Sequence, residues 1–131
     1  SGTTFFATAD LAKRLRRKFP GSLDGAPFLM PGEESVMRRA LDVWLETAGI
    51  RPDIVAELED RALVAAFGQA GVGVFVGPSA IEAEIIEQYR VQVLGRVAAL
   101  KERFYAISLE RRIRHPGVLA ISAAARELLA V

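Results

Sequence analysis

The chain has 131 residues, 51% of them hydrophobic, which suffices for one sizeable core and leaves no room for a second full domain. Lys and Arg total 17 against 16 for Asp and Glu, so whole-domain charge gives no reason to expect nucleic acid or an anionic membrane as partner. The absence of cysteine excludes a disulfide framework, a thiolate nucleophile and a cysteine zinc site. No apolar run approaches the length of a membrane span and no signal-peptide pattern opens the sequence, which makes a cytoplasmic domain with no membrane partner the default expectation.

In chain order, Thr3 to Phe6 read as a strand with no lead-in and no initiator Met, so the chain is expected to be an excised piece; Ser1 and Gly2 fit either a cloning remnant or native residues. Thr8 then caps a helix whose Leu11, Leu15 and Phe19 share a face, and Pro20 with Gly21 ends it. The remainder of that helix, Lys13, Arg14, Arg16, Arg17 and Lys18, is the solvated side of an amphipathic segment rather than a nucleic-acid patch, because no aromatics interleave to stack bases. Phe28 to Met30 form a second strand. Pro31 and Gly32 turn it into a helix ending near Gly49, with a polar stripe of Ser35, Arg38, Arg39, Asp42 and Glu46 opposite Val36, Ala40, Val43 and Trp44; Arg38 and Asp42 are spaced to pair.

The stretch from Ile54 to Ile81 writes out one βαβ unit. Ile54, Val55 and Leu58 form a short apolar run, then Ala62, Leu63, Ala66, Phe67 and Ala70 recur at helical spacing, with the join at Glu59 and Asp60. Gly71 is placed as the left-handed residue closing the helix before Val72 begins the return strand. Gly77 and Pro78 end that strand, and Ser79 with Glu82 spells a capping box for a helix burying Ile81 and Ile85. Strands at Val91 to Leu94 and Arg103 to Leu109 follow, and Pro116 opens a closing helix burying Val118, Ile121, Ala125 and Leu128. This alternation predicts an α/β fold with a mostly parallel sheet and helices on both faces.

In an open α/β sheet the carboxyl ends of strands border the ligand crevice, so the acidic strand exits are the first candidates for function. Glu57 and Glu59 alternate to one face and Asp60 follows; Glu33 and Glu34 sit equivalently after Phe28 to Met30. Such carboxylates suit acid/base chemistry or a hard cation, but singly each is better read as a surface charge, and Asp60 as a helix cap. Catalysis is not supported. His115 is the only histidine, the GPSAI turn around Ser79 lacks the second glycine of a nucleophile elbow, and Gly68, Gly71 and Gly73 follow no dinucleotide or phosphate-loop order. No catalytic residue, metal site or cofactor is therefore assigned.

The strand and turn FLMPG, the helix RRALDVWLETAGIRP, the unit ELEDRALVAAFGQAGVGVFVGPSAI and the closing YAISLERRIRHPGVLAISAAARELL together resemble the second half of the effector-binding domain of LysR-type transcriptional regulators. More narrowly, EDRALVAAFGQAGVGVF, VQVLGR and KERFYAIS look like the branch that activates sodium/proton antiporter genes. The resemblance covers nearly the whole chain. It implies one partial effector-binding domain of the periplasmic-binding-protein type II kind: a second lobe over about 8–96, crossing strands about 3–7 and 103–109, and a helix about 116–129 belonging with a first lobe outside this chain. The effector, a small molecule or an ion, would lie between the lobes against Pro31, Gly32, Glu33, Glu34, Ser35, Glu59, Asp60, Arg61, Ala62 and Pro78. The branch implies a monovalent cation or pH signal, with Glu33, Glu34, Glu59 and Asp60 as the oxygen ligands to test. DNA would be reached only through an N-terminal helix-turn-helix absent here, and a homo-oligomer is expected. The alternative is a lobe of a periplasmic-type solute receptor, which shares this architecture; a small α/β enzyme is disfavoured.

Overall fold

The computed structural model describes residues 2–100. The expected strand Arg103 to Leu109, the closing helix from Pro116 and His115 lie outside the described residues. The elements run β1 (Thr3–Ala7), α1 (Ala9–Leu15), β2 (Pro27–Pro31), α2 (Val36–Ala48), β3 (Asp53–Leu58), α3 (Arg61–Gln69), β4 (Phe75–Pro78), α4 (Glu82–Tyr89) and β5 (Gln92–Val97).

The fold is α/β, but the sheet is mixed rather than mostly parallel. Strand β1 pairs antiparallel with β4 on one side and β5 on the other, while β2 and β3 pair parallel. A parallel bridge between Phe28 and Val74 joins the two ladders, with Leu29 N–H donating to Val74 O at 2.8 Å and Val74 N–H to Pro27 O at 2.9 Å. The reversal is therefore confined to β1, the strand assigned by resemblance to the lobe crossing. Sequence alternation misses it because a strand followed by a helix reads the same whichever way its neighbours in the sheet run.

Helices cover both faces. On one side Phe5, Leu11, Leu15, Phe28, Met30, Leu41 and Leu45 gather under α1 and α2; on the other Phe6, Leu29, Val64, Ala65, Phe75 and Val91 gather under α3 and α4. The alternation of Phe5 and Phe6 to opposite faces follows from the two-residue period of a strand buried on both sides. Trp44 packs on Phe5 with ring centroids 5.5 Å apart, in the core rather than at a ligand.

Several boundaries and faces depart from expectation. Helix α1 stops at Leu15 and tightens into a 3-10 turn over Arg16–Lys18, so Phe19 reaches the core from outside the helix, 5.3 Å from Phe5. Thr8 occupies the cap position without a side-chain bond. Arg16 is more than a solvated charge, since its guanidinium donates to Val93 O and to Gln92 Oε1, tying the end of α1 to β5. On α2 the buried row is Met37, Leu41 and Leu45, whereas Val43 is exposed. On α3 it is Val64, Ala65 and Gly68, and the stripe that carried the periodicity leaves Leu63 and Phe67 outside. Ile54 and Val55 are likewise exposed because β3 is an edge strand. The return strand starts at Phe75 rather than Val72, and β5 is longer than Val91 to Leu94. Gly71 does close α3 with φ +82°, and Gly49 ends α2 with φ +70°.

Candidate functional site

The parallel register fixes where the strand exits go. Met30 lies opposite Glu57 and Pro31 opposite Leu58, and β4 joins β2 in the same sense through Val74, so Pro31, Leu58 and Pro78 finish at one border of the sheet. Gly32 N–H donates to Leu58 O at 3.0 Å, stitching two of these exits together. Each exit leads into a helical start: α2 after Ser35, α3 after Asp60, and a 3-10 turn over Ser79–Ile81 that runs into α4.

Between these starts opens a cavity of about 640 Å³. Its lining includes Pro31, Glu34, Ser35, Glu59, Arg61, Ala62 and Pro78 from the sequence-predicted set. Three others stand apart. Gly32 is buried beneath the Glu59 carboxylate, close enough that a Cβ there would fall 1.9 Å from Glu59 Oε1, so the absent side chain is what lets Glu59 lie across the turn. Glu33 faces a separate small depression with Arg38, Arg39 and Asp42. Asp60 accepts a hydrogen bond from Ala62 N–H at 2.8 Å and is thereby engaged as the cap of α3, an interaction of about 1 kcal/mol. Glu33, Glu34, Glu59 and Asp60 thus do not converge, and among the described residues no cluster of His, Cys, Asp or Glu is arranged to hold a metal ion. Glu57 turns instead to Arg38, 3.1 Å away, which also donates to Pro31 O and pairs with Asp42 at 3.0 Å, pinning α2 to the ends of β2 and β3.

Sequence reasoning missed one wall altogether. Ile81 at the cap of α4 and Glu84, Ile85, Gln88 and Tyr89 within it line the cavity together with Val64 and Ala65 of α3 and with Leu58, Phe75 and Val76. The signal was present as the i, i+4, i+7 row of Ile81, Ile85 and Gln88, but that row reads as ordinary core until α3 and α4 are placed side by side. Ile81 is in fact exposed toward this opening.

The capping box is not formed. Ile81 holds the cap position of α4 without a side-chain bond, and Glu82 turns toward the sheet. There the buried Thr4 hydroxyl donates to Glu82 Oε2 at 2.7 Å, which leaves Ser79 Oγ to donate to Thr4 at 2.8 Å, while Arg96 Nε donates to Glu82 Oε2 at 2.9 Å. The hydrogen bond from Arg96 holds the Glu82 carboxyl below its ordinary range; burial opposes this and the Thr4 bond assists it. A depressed folded value means that the stabilisation is complete above the unfolded carboxylate range and is lost as pH falls through the lower folded value. Glu82→Gln is therefore expected to be less stable than the wild type at pH 7, with the gap closing below about pH 4. Urea midpoints measured across that range check it, and a gap independent of pH would contradict it.

The LysR substrate binding domain profile matches residues 4–130. The chain is 34% identical over 105 residues to the transcriptional activator protein NhaR of Escherichia coli (strain K12), covering 80% of this chain and 35% of that protein, so it spans about a third of the length of the curated relatives it matches. Among solved structures, the Synechocystis PCC6803 CcmR regulatory domain in complex with 2-PG superposes with a TM-score of 0.56 at 16% identity over 71% of this chain and 45% of that one. The effector domain of the transcriptional regulator AmpR of Pseudomonas aeruginosa gives 0.55 at 17% over 75% and 47%. The family match over nearly the whole chain, with the shared fold, is decisive: the chain belongs to the LysR substrate-binding domain family, the effector-sensing regulatory domain of LysR-type transcriptional regulators.

Proposed function

We propose that the cavity is this lobe's half of an effector crevice, closed on its other side by a first lobe outside residues 1–131. The convergence of the exits of β2, β3 and β4 on one cavity carries this reading, since ligands of open α/β sheets lie beyond the carboxyl ends of the strands. Pro31, Glu34, Ser35, Glu59, Arg61, Ala62 and Pro78 would form the contact surface, with Gly32 and Asp60 shaping it from behind and α4 adding Ile85 and Tyr89. An effector that prefers one arrangement of the lobes shifts the population toward it, and in an oligomer this alters how DNA-binding helix-turn-helix units elsewhere in the parent protein are spaced. No bond is broken in such a cycle. A parent protein that works on DNA in this way would act in the cytoplasm. Among the described residues no helix is long and apolar enough to cross a membrane.

Ala62 offers a test because it lines the cavity while lying outside the core. In a thermal-shift screen, a small molecule that stabilises the wild-type chain is expected to bind Ala62→Phe at least tenfold more weakly, with the unliganded melting temperature unchanged. A stabilising ligand indifferent to that substitution would place the effector elsewhere.

A further inference from the structure

This inference rests on the effector-cavity reading above and concerns the chemistry of the occupant. We propose that the cavity receives an organic cation with an apolar body, such as a protonated amine on an aromatic or branched hydrocarbon. The lining is graded. Buried Val64, Ala65 and Phe75 form its base, and the exposed residues around it include the carboxylates of Glu34, Glu59 and Glu84. None of these three forms an ion pair among the described residues, in contrast to Glu57 and Glu82, which are matched to Arg38 and Arg96. Against them, among the described residues, the lining sets one cation, Arg61. The helix starts at α2 and α3 carry partial positive charge, about half a unit each, but the Asp60 carboxylate already occupies that of α3. The balance of charge therefore favours a positive guest.

A bare metal ion does not fit as well, because it needs converging oxygen ligands and the described residues supply no such cluster. A cation carrying hydrocarbon uses both parts of the lining: its body covers the apolar base and its charge meets the acidic border, with the Tyr89 ring also available to a cation.

The probes are phenethylammonium, its charge-inverted counterpart 3-phenylpropanoate, and sodium chloride exchanged for potassium chloride, each followed by amide chemical shifts of the full chain. Phenethylammonium is expected to produce saturable shifts around Ala62, Ala65 and Ile85 and to bind at least tenfold more tightly than 3-phenylpropanoate. Glu59→Gln and Glu84→Gln, both exposed and conservative, should each weaken it several-fold, and Glu57→Gln should not. Equal or tighter binding of 3-phenylpropanoate at the same amides overturns the charge assignment while leaving the cavity reading intact. The same shifts from sodium alone overturn it in favour of an inorganic ion. Silence at these amides toward every probe overturns both readings together.

Discussion

Phe5→Ala is expected to lower the unfolding free energy by about 3–5 kcal/mol, a large share of the roughly 5–15 kcal/mol that holds a domain folded. Phe5 is fully buried in the central strand β1, with Phe19 at 5.3 Å, Phe28 at 6.2 Å and Trp44 at 5.5 Å between ring centroids. Three neighbours from three segments therefore lose one partner together, and a backbone paired on both edges cannot collapse to refill the space. Phe5→Leu retains much of the volume and is expected to cost less. Urea denaturation of the two variants measures the difference; a loss under about 1 kcal/mol for Phe5→Ala would mean that the cavity is relieved by rearrangement that this packing does not allow.

The second large effect is predicted at Gly68, and it sets two forces against each other. Helix propensity alone favours Gly68→Ala by about 1 kcal/mol. Gly68 however faces the sheet, and a Cβ there would lie 2.2 Å from Phe75 Cδ1. That ring is only 2% exposed and stacks on Phe6 at 5.3 Å, so it has nowhere to go without disturbing a second buried aromatic. Overpacking of this kind costs about 1–3 kcal/mol, which outweighs the propensity gain, and Gly68→Val should fall at the upper end or beyond it. Because α3 also carries Ala62 and Ala65, a displaced helix should change the cavity as well as the stability. Phe75→Leu combined with Gly68→Ala is expected to recover part of the loss, a coupling visible in a double-mutant cycle. Stabilisation by Gly68→Ala in the native background would show that the α3–β4 contact is looser than the geometry states.

The same residue explains why part of the site was hidden. The large apolar residues Leu63 and Phe67 dominate the periodicity of α3, yet the face turned inward is Val64, Ala65 and Gly68, where Gly68 allows the helix to approach Phe75 closely. Hydrophobic pattern reports where large side chains recur, and close approach is achieved by residues that contribute little to that pattern. Ser79 and Glu82 mislead in a related way. Their spacing meets the rule for a capping box, but the Glu82 carboxylate is taken instead by the buried Thr4 hydroxyl and the Arg96 guanidinium, an arrangement in which Thr4, sealed from water, both donates to Glu82 and accepts from Ser79.

The order of elements from β1 to β5, the strand exits at Pro31, Glu59 and Pro78, the cap at Asp60 and the left-handed turns at Gly49 and Gly71 were legible from residues alone, since each rests on interactions within a few positions along the chain. The family resemblance was legible too, carried by residue stretches such as FLMPG and ELEDRALVAAFGQAGVGVFVGPSAI. What only tertiary structure decided was the antiparallel placement of β1 between β4 and β5, the diversion of Glu33, Glu57 and Asp60 away from the cavity, and the α4 wall with Glu84, Ile85 and Tyr89. Each of these depends on which segments meet across long sequence separations. That choice is made by burial and hydrogen-bond satisfaction over the whole core, and no local pattern encodes it.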